Sequence, residues 1–93
     1  MPGQPQVRQH SWLYLPGDDI PAAVVRIEQR MDGTGGWIVL HNVPASAPTQ
    51  RSEHDGQDSA YAKAQRLRDW IDSLYHDQHN ITGQWDIRER EPH

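Results

Sequence analysis

The chain contains no cysteine and no phenylalanine, and Lys63 is its single lysine. Without thiols there can be no disulfide and no thiolate–metal site to staple the fold. Cysteine-free composition also fits a reducing compartment. Aliphatic residues are scarce as well. Five Leu, six Ile and five Val make 16 of 93 residues, under the roughly 20% at which disorder begins to compete with folding. Disorder normally needs a high net charge too, and this chain carries only −4, so self-repulsion is weak. Four Trp and three Tyr supply the bulk that Phe does not, each removing about 150–250 Å² from water when enclosed. No stretch approaches the roughly 18 apolar residues of a membrane helix. Met1 to His10 is polar and Pro/Gln-rich, without the apolar run of a secretory signal. These absences set an expectation of one small, soluble, cytoplasmic domain with no membrane partner. A core this thin invites help from a second chain.

The clearest positive signal is the run Asp58 to Gln78. Ala60, Ala64, Leu67, Ile71 and Leu74 recur at spacings of four, three, four and three. At roughly 100° per residue they occupy about 80° of a helix surface, the stripe of a helix laid on a sheet. Asp58 or Ser59 is placed to cap its first turn. His76 and His79 complement the dipole at the other end, and Asn80 suits the left-handed closing conformation.

Around that helix the pattern has period two. Ser11 to Leu15 reads as a short strand ended by Pro16-Gly17 and Asp18-Asp19. Ala23, Val25 and Ile27 alternate with Val24, Arg26 and Glu28, a strand with one face in a core. Asp32 to Gly36 has the composition of a hairpin loop. Trp37 to Val43 returns, apolar on both faces at its start, which predicts an interior or doubly covered strand. Ile81, Gly83, Trp85 and Ile87 form the buried face of a last strand. Residues 1–10 are expected to be a disordered arm, and 44–57, rich in Pro, Ser and Gln, a long flexible loop. The expected domain, 11–90, is therefore α+β. Its three or four antiparallel strands follow the order β-β-β-α-β, with one amphipathic helix on one face. In it, the helix seam meets Val25, Ile27, Trp85 and Ile87.

Chemical motifs are few. Asp72, His76 and His79 share a helix face at spacings that suit zinc or nickel, but the same residues equally make a solvated helix end. Glu53, His54 and Asp55 form a second polar cluster. Gly33 to Gly36 could cradle a phosphate, yet a phosphate loop runs from a strand into a helix and carries a Lys, so the hairpin reading stands. No nucleophile motif is present, and no cofactor or resident metal is assigned. Lys63, Arg66 and Arg68, with Arg51 nearby, offer positive charge to nucleic acid. The overall charge opposes that reading, and Arg66–Asp69 and Arg68–Asp72 have the spacing of ordinary surface ion pairs. Trp37 and Trp85 are expected in the core. Trp12 and Tyr14 share one strand face and Leu13 and Leu15 the other, while Trp70 lies about 80° off the helix stripe. Trp12, Tyr14, Trp70 and Arg66 are thus the candidate interface, since Trp, Tyr and Arg dominate binding hot spots. The expectation is a small non-catalytic protein-interaction or regulatory accessory module of a bacterium or mobile element. Its partner is another protein, with self-association open. The alternatives are a nucleic-acid binder using Lys63, Arg66 and Arg68, and a metal-dependent sensor or enzyme.

Overall fold

Alternating apolar residues in the first half of the chain build a meander, and a single helix then crosses it. The computed structural model describes residues 4–90. The elements in chain order are β1 (Gln6–Tyr14), β2 (Ala23–Gln29), β3 (Trp37–Asn42), β4 (Gln50–His54), α1 (Gln57–His79) and β5 (Gln84–Glu89). They form one antiparallel sheet of spatial order β4-β3-β2-β1-β5. The helix carries the chain from the β4 edge back across the sheet, so that β5 can add to β1 at the opposite edge.

The α+β class and the helix on one face are as expected, but the strand count is not. Among the described residues there are five strands in the order β-β-β-β-α-β. The extra one, β4, lies within the segment expected to be a flexible loop. It is polar throughout, Gln-Arg-Ser-Glu-His, and carries no hydrophobic signal. Its ladder to β3 holds it, with Trp37 opposite His54 and Leu40 opposite Arg51. A short polar strand is also how a sheet edge is kept from recruiting further strands. β1 in turn starts at Gln6, inside the expected disordered arm. Residues 1–3 of that arm and 91–93 lie outside the described residues. A bulge between Val7 and Gln9 sits in this early part of β1. It lets Arg8 reach back over the Trp37 ring, 5.4 Å from its centroid, while also donating to Gln29 and to the Arg90 carbonyl.

The helix seam works as its spacing predicts. Ala60, Ala64, Leu67 and Ile71 are buried against Leu13, Ala23, Val25, Ile27, Trp37 and Val39. Trp37 is in the core and packs edge-to-face with Tyr61, ring centroids 6.1 Å apart. Leu74 is only half-buried. Ile87 shares the helix side of the sheet by register with Ser11, yet it is 46% exposed. The reason is placement: α1 packs over β2, β3 and β4, and β5 extends beyond it. Trp85 is half-buried, its indole N–H donating to Asp72 Oδ1 at 2.9 Å.

Both helix ends are resolved by local chemistry. Asn80 closes α1 in the left-handed region (φ 56°), its N–H donating to the His76 carbonyl at 2.9 Å. The start differs from expectation. The helix begins at Gln57, so the N-cap is Gly56, which has no side chain to cap with, and the Ser59 hydroxyl, inside the first turn, bonds to His54 Nδ1 at 2.9 Å. Between β2 and β3, Asp32 Oδ1 accepts from the N–H and hydroxyl of Thr34, with Gly33 and Gly35 at positive φ, as a hairpin loop requires.

Candidate interaction surfaces

Strand alternation divides the sheet into two faces, and only one has a helix over it. The other carries Val7, His10, Trp12 and Tyr14 from β1, Val24, Arg26 and Glu28 from β2, and Ile38, Leu40 and Asn42 from β3. Arg51 and Glu53 from β4 and Gln84, Asp86 and Arg88 from β5 complete it. Directly opposed residues fall into continuous rows across the strands. One row runs Glu53, Ile38, Glu28, Val7, and the next runs Arg51, Leu40, Arg26, His10, Arg88. A third runs Asn42, Val24, Trp12, Asp86.

Within this open face the charges neutralise one another. Arg26 Nε lies 2.8 Å from Glu28 Oε2, Arg51 pairs with Glu53 at 3.2 Å and Arg88 with Asp86 at 3.3 Å. Arg30 also reaches Glu53. The Arg26–Glu28 contact is an ion contact without hydrogen-bond alignment, leaving the buried Arg26 Nε with no aligned acceptor among the described residues. Ile38, between Glu28 and Glu53 in its row, is 3% exposed. His10 stacks on Trp12, centroids 3.9 Å apart and planes 18° from parallel. Burial, with Arg26 and Arg90 adding to it, holds the His10 pKa below its usual range.

A second surface lies on the flank of α1 above β4. Ser59, Lys63, Arg66 and Trp70 follow at spacings of four, three and four, one stripe of the helix. Trp70 is 50% exposed and meets His41 edge-on, 6.3 Å between centroids. His54 bridges Ser52 Oγ (2.8 Å) and Ser59 Oγ (2.9 Å). Burial lowers the pKa of His54, with Lys63 and Arg66 adding to it and Asp55 opposing; burial and Lys63 do the same to His41. Neither Lys63 nor Arg66 makes an ion pair among the described residues, so the expected Arg66–Asp69 pair is not formed. Gln65 bonds Asp69 instead.

The residues singled out from sequence therefore fall on different surfaces. Trp12 and Tyr14 share the open sheet face, whereas Trp70 and Arg66 lie together on the helix flank. Arg68 joins neither. It is 6% exposed and turns inward, donating to Gln9 Oε1 (2.9 Å), Ser11 Oγ (3.2 Å) and Gln65 Oε1 (2.9 Å) rather than pairing with Asp72. Asp72, His76 and His79 are not brought together. Asp72 and His76 border an open hollow of ≈ 300 Å³ with Leu13 and Gly83, while His79 borders another with Val43 and Pro44. Among the described residues no group of three His, Asp or Glu is arranged to hold a metal ion. Glu53 and His54 point to opposite faces of the sheet. Among the same residues no helix is long and apolar enough to cross a membrane.

Sequence reasoning passed over Val24, Ile38 and Leu40 as surface residues, although the alternation of β2 already separates Val24, Arg26 and Glu28 from the core. What single-strand patterns do not contain is the register that joins those residues into rows. Comparison with protein-family models, curated proteins and solved structures returns no match.

Proposed function

We propose that the protein is a non-catalytic module that works by binding another protein through the open face of its sheet. The observation that supports this is one-sided coverage: α1 covers the core face, while Trp12, Tyr14, Val24, Ile38 and Leu40 line the side with no helix. An antiparallel sheet can leave one face in water, but a solvated face usually carries polar residues alternating outward. Here Val7, Val24, Leu40, Trp12 and Tyr14 stand between paired Arg and acid side chains, an apolar and aromatic share that a purely solvated face does not need.

The test is retrieval by a tagged copy from cells of its source. A protein partner, either a different chain or an untagged second copy, is expected with wild type and with Trp70→Ala. It is expected to be lost with Leu40→Arg while circular dichroism stays unchanged. Retrieval that survives Leu40→Arg and fails with Trp70→Ala would move the binding surface to the helix flank.

A nucleic-acid reading draws on that flank, where Lys63 and Arg66 stand beside the exposed Trp70 ring, a stacking platform next to two cations. Two cations on a chain of net charge −4 give little counterion release, which is why the protein-binding reading is preferred. Salt-sensitive retention on single-stranded DNA or RNA, weakened by Arg66→Glu, would reverse that preference.

A further inference from the structure

We infer that the occupant of the open face is a second copy of this chain, packed face to face about a two-fold axis that lies in the interface and crosses the strands between the two charged rows. This rests on the reading of that face as the binding surface.

The argument is self-complementarity of charge. A two-fold axis running across the strands inverts position along them, so the row on one side of the axis meets the neighbouring row of the other copy. The row Glu53, Ile38, Glu28, Val7 then faces Arg51, Leu40, Arg26, His10, with Arg88 at the end of that row left without an acid opposite. Acid meets base twice, and Leu40 lies between them next to the buried Ile38. Two-fold symmetry makes every contact twice, Glu28 to Arg26 and Arg26 to Glu28. The other in-plane axis, running along the strands, would set Arg26 of the central strand against itself. Like charges so placed are strongly disfavoured. The charge pattern thus favours the axis across the strands over an axis along β2.

Geometry and area agree. Sheets packed face to face lie roughly 10 Å apart, with strand directions within about 30°. Arg and Glu side chains span such a gap, and the pairs nearest the middle of the sheet, on β2 and β3, are displaced least by the crossing of the two strand directions. Five strands about 4.8 Å apart, each giving about 20 Å of length, cover roughly 500 Å² per copy, or about 1,000 Å² in total, the threshold of a specific interface.

The experiment is light scattering on a sizing column with wild type and charge-swapped chains. Wild type is expected at twice the 10.7 kDa of the chain. Arg26→Glu gives a face with two acids in the central pair and Glu28→Arg a face with two bases. Each alone is expected to be monomeric, and an equimolar mixture is expected to form a mixed dimer. The doubly swapped chain, Arg26→Glu with Glu28→Arg, keeps its internal pair and so guards against loss of folding. It is expected to dimerise with itself but not with wild type. A monomeric wild type at several hundred micromolar overturns the inference. If Leu40→Arg still abolishes retrieval of a different protein, the binding-face reading survives that result. A dimer unaffected by the swaps, or a double swap that mixes freely with wild type, also overturns the inference.

Discussion

Arg68 Nη1 donates to Gln9 Oε1 at 2.9 Å across the helix–sheet interface, and both residues are buried. Every hydrogen-bond acceptor found for this guanidinium is neutral: an amide oxygen on β1, the Ser11 hydroxyl and Gln65 one turn earlier on the helix. Gln9 passes the charge on, its Nε2 donating to Glu89 Oε1, while Tyr61 donates to the other oxygen of Glu89 at 3.1 Å. Burial lowers the Arg68 pKa, and Asp69, Glu89 and Asp72 act against that shift. The ion pair is thus mediated by an amide.

An amide that serves two charges is harder to replace than either charge. Gln9→Leu removes one of three acceptors of a buried guanidinium together with its link to Glu89, and costs about 1–3 kcal/mol. Arg68→Met keeps most of the aliphatic volume and removes the charge, at a cost of about 1 kcal/mol. The double variant is expected to be more stable than Gln9→Leu alone. Urea unfolding followed by tryptophan fluorescence would show this order, and an Arg68→Met loss exceeding that of Gln9→Leu would refute it.

The histidines respond separately to their neighbours. Burial is the largest cause of the lowered pKa of His10, His41 and His54, but Lys63 contributes only to His41 and His54, whereas Arg26 and Arg90 contribute to His10. Lys63→Gln is expected to raise His41 and His54 toward the unperturbed value of about 6.5 and to leave His10 in place. Ring-proton titration by NMR reads all three in one sample. The sign for stability follows. A histidine held neutral by folding binds its proton more readily in the unfolded chain, so stability falls as pH drops through about 6.5 and levels off below the folded-state values. Lys63→Gln should flatten that fall. A shift of His10 equal to the others would show that the field of Lys63 is not the cause.

Elements built on burial were legible in the letters, and those built on pairing were not. The helix limits, the hairpin at Asp32–Gly36, the Asn80 close and the two faces of Trp12 and Leu13 all follow from periodicity or from one residue's conformational habit. β4 has no apolar residue to announce it, and its place depends on the backbone ladder with β3. Arg68 carried a faint signal, since it lies beside the apolar stripe at an angle where a long side chain can turn inward. Nothing in the helix itself says that Gln9 and Ser11 wait opposite. The open face is the same case on a larger scale. Val24, Arg26 and Glu28 are visibly an outward set, but only the pairing with β1 and β3 shows that they continue rows of like character across the sheet.

Two glycines test how closely the loops are fitted. A Cβ at Gly83 would stand 2.7 Å from Leu13 Cδ1 and 2.8 Å from the Tyr14 carbonyl oxygen. Tyr14 is fixed in the β1–β5 ladder opposite Gln84, so its carbonyl has little room to retreat, and Leu13 is fully buried in the core. Gly83→Ala is therefore expected to cost about 1–3 kcal/mol, the range for overpacking. Gly56 is the opposite case. Nothing lies within 4 Å of its added Cβ, its backbone is extended, and it occupies the N-cap with no side-chain cap. Gly56→Asp supplies an acceptor to the free N–H groups of the first turn and a negative charge to the positive end of α1, for a gain of a few tenths of a kcal/mol. Thermal unfolding should shift downward for the first and slightly upward for the second. If Gly83→Ala were neutral, the entry into β5 would be looser than the approach of Tyr14 and Leu13 implies.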